Sequence, residues 1–252
     1  MDDASLLRTM YRSLHATARL MGKGAPDNRV LERDGVTALI VPSAPERSVV
    51  NSVVYDGAEA LSAELDALAS AYTDAGVRAW TVWTRDGDDQ AIEALEAAGH
   101  RLDASPRAMG LALSELRDPS GPEPEWTGEW DLEAAGLVND RAYGDPHGLW
   151  ATALGALPEG VAQLYLARDG HKPVSFVMVH DHDGDCVFSF AATVPEARGR
   201  GLAGGLLHRA LTDARSRGCE TSTTQATAMG RPVYERLGYR DLGPVHMYER
   251  RR

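Results

Sequence analysis

The chain has 252 residues, room for one large domain or two small ones, and its 43% hydrophobic content is enough for a sizeable core. A net charge of −11, with a pI near 5.2, argues against nucleic acid or an anionic membrane as partner, because both require a basic face. Cys186 and Cys219 are the only cysteines, which excludes a disulfide framework and zinc-type spacing; with an acidic Met1-Asp2-Asp3 start and no long apolar run, the expectation is a cytoplasmic protein with no metal and no membrane segment.

Leu6, Leu7, Met10, Tyr11, Leu14, Ala18 and Met21 recur at helical spacing and predict an amphipathic helix over residues 4–22. Extended pieces follow at 29–33 and 36–42 around the turn Asp34-Gly35, and a further strand is expected from Val49 to Tyr55. Leu61, Leu65, Leu68 and Tyr72 mark a helix closed by Gly76. Val77–Thr84 reads as a strand, 88–98 as a short helix and Met109–Leu113 as the last strand of this half. Trp80 and Trp83 stand an odd number of residues apart, so they point to opposite faces and pack under helices on both sides.

Residues 117–129 are rich in proline and acid and read as a linker between a first domain (1–116) and a second (130–252). In the second, a helix with Leu132, Ala135, Val138 and Ala142 breaks at Gly144-Asp145-Pro146, and a short helix carries Leu149, Trp150 and Leu154. Val161–Arg168, Val174–His180 and Cys186–Thr193 form three antiparallel strands joined by the turns Asp169-Gly170 and Asp181-His182-Asp183-Gly184. The latter run has its glycine misplaced for a calcium loop and reads as a solvated hairpin. A helix leaves Gly201 and ends at Gly218; then come the strand Cys219–Gln225, the short helix Arg231–Leu237 and strand structure within Tyr239–Glu249.

The two parts repeat each other. Leu95-Glu96-Ala97-Ala98-Gly99-His100-Arg101 parallels Tyr234-Glu235-Arg236-Leu237-Gly238-Tyr239-Arg240, and Gly76 faces Gly218. That register sets Gly57 opposite Gly199, with Asp56 in place of Arg198 and Glu59 in place of Gly201. Acids stand in the first half where an anion would bind in the second.

Thr193-Val194-Pro195-Glu196-Ala197-Arg198-Gly199-Arg200-Gly201-Leu202-Ala203-Gly204 links an apolar strand to an amphipathic helix. Glycines free the backbone N–H groups to face a bulky anion, and the helix start adds unsatisfied N–H groups at the positive end of its dipole. Gly199–Gly204 fits the dinucleotide pattern G-x-G-x-x-G, but a dinucleotide strand runs straight into its first glycine, whereas here Pro195–Arg198 intervene after hairpin-joined strands. A glycine turn without a ligand leaves Arg198 and Arg200 unexplained.

The remaining pattern, strand–Arg198-x-x-Gly201-x-Ala203–helix, resembles the acyl-CoA-binding motif of the GNAT superfamily of N-acyltransferases, and Val233-Tyr234-Glu235-Arg236-Leu237-Gly238-Tyr239 resembles its Tyr-x-x-x-Gly-Phe/Tyr segment. The resemblance covers about residues 130–252, and the first half looks like the degenerate N-terminal domain of tandem members. It implies an α/β (α+β) fold of two tandem GNAT-like domains with mostly antiparallel sheets flanked by helices, and acetyl-CoA as cosubstrate. By the same resemblance Gly199, Arg200, Gly201, Leu202, Ala203 and Gly204, together with Arg198, hold the pyrophosphate; Ala191, Ala192 and Thr193 lie along the pantetheine arm in a gap between splayed strands; and Tyr234 protonates the leaving thiolate. Thr227 stands where an asparagine is common, which weakens that side-chain contact or passes it to Gln225.

No glutamate on the strand before the cradle offers a general base. Asp145 and His147, in the helix-breaking loop that overhangs the acceptor site in this fold, are candidates beside turn chemistry and ordered water, with Tyr143 and Trp150 as walls. The expected activity is transfer of acetyl from acetyl-CoA to a primary amine of a small molecule by direct attack, in a monomer or homodimer. The alternatives are a longer acyl donor and a CoA-binding sensor or scaffold without turnover.

Overall fold

The computed structural model describes residues 1–119 and 124–252. In the first half, α1 (Asp3–Met21) is capped by the Asp2 carboxylate, which accepts from the Ser5 N–H, and buries the stripe Leu6, Met10, Leu14, Ala18. β1 (Arg29–Arg33) and β2 (Val36–Ile40) form a hairpin over Gly35, whose φ is +70°. β3 spans Ser52–Tyr55, later than expected from Val49. The fully buried Asn51 is the reason: its amide accepts from Val41 N–H and donates to the Ala44 and Arg47 carbonyls, holding residues 41–51 as a loop. Then come α2 (Ala58–Asp74), β4 (Ala79–Arg85), α3 (Asp89–Ala97), β5 (Arg101–Ala104) and β6 (Arg107–Ala112).

In the second half, β7 (Trp126–Thr127) lies within the expected linker and pairs with β8 (Gln163–Asp169); residues 120–123 of that linker lie outside the described residues. α4 (Leu132–Tyr143) and α5 (Leu149–Leu154) precede β8, β9 (Lys172–His182) and β10 (Asp185–Thr193), an antiparallel set as expected. α6 (Leu202–Ser216), β11 (Thr221–Ala226), α7 (Arg231–Arg236) and β12 (Arg240–Arg251) complete the chain. Each half therefore runs through an antiparallel set, a helix, a parallel return (β3 with β4, β10 with β11) and a second helix. The architecture is a mixed α/β fold with a mostly antiparallel sheet flanked by helices.

The halves are joined by an exchange of strands. The sheet order is β1-β2-β3-β4-β12-β6-β11-β10-β9-β8-β7, with β5 on β12. β6, from the first half, lies between β11 and the opening of β12, where Ala112 faces Thr221 and Gly110 faces Arg240. The rest of β12 crosses into the first half and lies between β4 and β5, from Val245 opposite Arg85 to Arg251 opposite Ala79. The cores record the exchange: Met109 and Leu111 of β6 pack with Leu206, Leu207 and Leu211 of α6, while Tyr248 of β12 packs with Leu61, Leu65 and Leu68 of α2.

Trp80 and Trp83 do point to opposite faces. Trp80 stacks on Tyr72 of α2 at 4.6 Å between ring centroids, and Trp83 packs with Met10, Tyr11 and Leu14 of α1. The hairpin at Asp181–Asp185 differs from a solvated turn at both ends. Asp181 pairs with Arg217, and Asp185 is fully buried, accepting from Ser13 Oγ (2.7 Å), Thr221 Oγ1 (2.8 Å) and Thr223 Oγ1 (2.5 Å). Those hydroxyls are what let an uncompensated carboxyl sit between α1 and the sheet; burial still pushes its pKa up.

Candidate active site

β10 and β11 part company at their C-terminal ends. They pair only from Asp185 opposite Thr221 to Val187 opposite Thr223. Beyond that, β10 stays on β9 as far as Thr193, and β11 stays on β6 as far as Ala226. Both strands remain held on their outer sides, so a gap opens between Phe188–Thr193 and Thr224–Ala226, with its throat at Val187. A bulge in β10 between Phe188 and Phe190 sits at that throat. Ala191, Ala192 and Thr193 line the β10 edge, paired on their other side with Val177, Phe176 and Ser175.

The glycine stretch closes the outer end of the gap. A 3₁₀ turn, Pro195–Ala197, leads to Gly199 and Gly201, whose φ values of +75° and +78° suit glycine, and a Cβ on either would meet no atom within 4 Å. The backbone is thus open to solvent where it turns. Gly201 caps α6 without any side chain, no acid stands in the first turn, and among the described residues no other group takes the N–H of Gly199 through Gly204. Leu202, Ala203 and Gly204 supply the first-turn N–H groups, and a Cβ on Gly204 would meet the Val233 side chain of α7 at 3.8 Å. The arginines already hold protein partners. Arg198 donates to the Thr193 and Ala142 carbonyls (3.2 and 2.9 Å), clamping the strand end to α4, and Arg200 pairs with Asp169 at 2.9 Å.

Tyr234 lies on the opposite wall. Pro232 helps open α7, and the Thr227 hydroxyl accepts from Gly230 N–H at 3.2 Å, fixing the turn into that helix. This occupies one lone pair of the exposed Thr227 side chain. The Tyr234 ring meets Phe188 of β10 and Tyr239 edge to face, at 5.8 and 5.4 Å. Burial pushes the phenol pKa up to about 12, the Thr224 side chain pulling it down and Tyr143 adding to the rise, so the hydroxyl keeps its proton at neutral pH.

The overhanging loop is organised from the first half. The Asp145 carboxylate is paired with Arg47 at 2.5 Å, and its side chain is nearly buried. Arg47 sits in the β2–β3 loop that Asn51 holds together. The buried Asp140 accepts from Gly148 and Trp150 N–H groups and ties the loop to α5. Tyr143, 55% exposed, donates to the Ala191 carbonyl at 3.2 Å and so reaches across the gap edge. His147 is exposed on this loop, and Met229, 70% exposed, stands on the turn before α7.

The corresponding place in the first half is built differently. β3 leads through Asp56 straight into Gly57 and α2, with no 3₁₀ turn or glycine loop between. β3 and β4 also pair only briefly, Ser52 with Thr81 and Val53 with Val82. Arg85 fills the space beyond: its guanidinium donates to the Tyr55 and Asp56 carbonyls and lies over the Tyr11 and Tyr55 rings at 4.7 and 5.3 Å. Sequence reasoning passed over Arg85, although it is nine residues beyond Gly76, as Thr227 is nine beyond Gly218.

Among the described residues no group of three or more His, Cys, Asp or Glu side chains is arranged to hold a metal, and no helix is long and apolar enough to cross a membrane. Residues 160–241, from before β8 through the start of β12, match the family model of the acetyltransferase (GNAT) domain. No curated protein sequence matches the chain significantly. Among solved structures, a GCN5-related N-acetyltransferase from Kribbella flavida superposes with a TM-score of 0.65 at 17% identity, over 96% of this chain and 95% of that one. A GCN5-related N-acetyltransferase from Sphaerobacter thermophilus gives 0.55 at 16% identity, over 86% of this chain and 80% of that one. At these identities the likeness concerns the fold, and it extends over both halves. The parted strands and the open glycine turn both lie within the residues matched by that family model. Residues 160–241 thus resemble an acetyltransferase (GNAT) domain in sequence, and the whole chain resembles GCN5-related N-acetyltransferases in fold.

Proposed function

We propose that the second half transfers an acetyl group from acetyl-CoA to a primary amine of a small molecule by direct attack, and that the first half is a degenerate copy that has lost cofactor binding. One observation carries this reading: the β10–β11 gap runs from an open N–H cradle at Gly199–Gly204 inward to a buried, protonated Tyr234. A pyrophosphate on the cradle puts the pantetheine arm along the Ala191–Thr193 edge of the gap, where it meets the Tyr143 and Arg198 side chains, and the thioester at the throat. The amine attacks the thioester carbonyl, an oxyanion forms, and the thiolate leaves as Tyr234 gives up its proton. With Asp145 neutralised by Arg47, the ammonium proton leaves to water or to the exposed His147. In the first half, Arg85 and the missing loop leave no room for a second cofactor. The test is a panel of amines with acetyl-CoA, read by free-thiol release. Tyr234→Phe is expected to lower kcat about 10- to 100-fold with little change in acetyl-CoA affinity; an unchanged rate sinks the proton-donor role.

A further inference from the structure

Ser189 is the extra residue of the β10 bulge, at the throat of the gap and next in sequence to Phe188, against which Tyr234 packs. It is half-buried, as is Phe190 after it, while Phe188 before it is buried. Its hydroxyl meets Nδ1 of His180 at 2.8 Å. His180 lies on β9 opposite Val187, is only 5% exposed, and its Nε2 is buried with no hydrogen-bond partner. None of these features serves the mechanism above.

The unpartnered Nε2 decides which way the pair is oriented. A buried N–H without an acceptor is the costlier orphan, and a bare lone pair the cheaper one. The proton therefore sits on Nδ1 and is donated to Ser189 Oγ, so the Ser189 O–H is left to donate elsewhere. Burial lowers the His180 pKa to about 4, so the ring stays neutral and keeps that tautomer at neutral pH. The same low value makes His180 a poor home for the ammonium proton, which separates it from a general base.

We propose that Ser189, oriented by His180, donates a hydrogen bond to the thioester carbonyl oxygen and to the oxyanion it becomes, with Ser189 as a catalytic residue and His180 as a positioning residue. This rests on the acyl-CoA reading above. The sulfur is then served by Tyr234 from one wall and the oxygen by Ser189 from the other. A neutral donor fixed before the reaction stabilises charge that develops only as the amine attacks.

The experiment uses the full chain and acetyl-CoA labelled with carbon-13 at the carbonyl, so no acceptor need be known. Difference infrared spectra of the bound cofactor are expected to show a lowered carbonyl stretch in the wild type, moved towards its solution frequency in Ser189→Ala and retained in Ser189→Thr. Calorimetry on the same variants is expected to show Kd raised by no more than about 10-fold. Thiol release is expected to fall about 100-fold in Ser189→Ala. His180→Leu is expected to lose the spectral shift, and His180→Gln, whose amide still donates, to recover it. A wild type that binds acetyl-CoA but whose stretch is identical in Ser189→Ala overturns the Ser189 role and leaves the acyltransferase reading standing. A wild type that binds no acetyl-CoA overturns both.

Discussion

Ending the chain after Pro244 should unfold the first half, although every residue removed belongs by sequence to the second. Residues 245–251 form the strand that separates β4 from β5, facing seven positions of β4 from Arg85 to Ala79. Val245, Met247 and Tyr248 are buried there, the first two against Met10, Tyr11 and Leu14 of α1 and the third against α2. At about 1.5–3 kcal/mol for each buried apolar side chain, their loss removes roughly 5–9 kcal/mol before any ladder hydrogen bond is counted. A natural domain has only about 5–15 kcal/mol in total. His246, which meets Ser105 Oγ at 2.9 Å and Asp86 at 3.1 Å, is lost too. Circular dichroism, urea titration and limited proteolysis of chain 1–244 are expected to show loss of cooperative unfolding and cleavage within residues 1–116. A truncated chain that melts with the wild-type midpoint refutes the strand exchange. A synthetic peptide of residues 245–252 added in excess is expected to restore part of the lost protection.

Other outcomes follow from single positions. Gly201→Val puts a branched side chain at φ +78° in the cradle; acetyl-CoA affinity is expected to drop more than about 10-fold, with a stability loss of about 1–2 kcal/mol from the left-handed backbone, both measurable by calorimetry and thermal melting. His100 and His180 are buried with pKa values lowered to about 4 against an ordinary 6.5. The unfolded chain binds those protons more tightly, so stability is fully present above pH 6.5 and is lost as pH falls towards 4, by up to about 3 kcal/mol for each ring. Urea midpoints at pH 7 and pH 4.5 test this, and His100→Phe is expected to flatten part of the slope.

Most elements were readable because they rest on local pattern. The stripe on α1, the short apolar runs of β8–β10 between turn residues and the glycines at Gly76, Gly99, Gly218 and Gly238 each state their structure within a few residues. β5 escaped because Arg101–Ala104 is only four residues long and mostly exposed, Leu102 included; its place is set by β12. The exchange of β6 and β12 escaped for a related reason. A strand with one apolar face fits either half of the sheet, and local sequence does not say which neighbour it takes.

The glycine turn was legible to the residue, since its glycines, the preceding 3₁₀ turn and the helix start are contiguous. The roles of charged side chains were less so. Asp145 looked available because Arg47, its partner, lies 98 residues away in the other half. For Arg198 the sequence did not disclose that its guanidinium also bonds the nearby carbonyls of Thr193 and Ala142. Ser189 and His180 carried no signal, because a strand bulge changes which residues meet without changing the alternation around it.

The central claim is one acyl-CoA site per chain, in the gap between β10 and β11. Titration calorimetry of the full chain with acetyl-CoA tests it most directly: the expected result is one acetyl-CoA bound per chain, with binding lost in Gly201→Val and retained in Arg85→Ala. No binding, or two equivalents per chain, contradicts it.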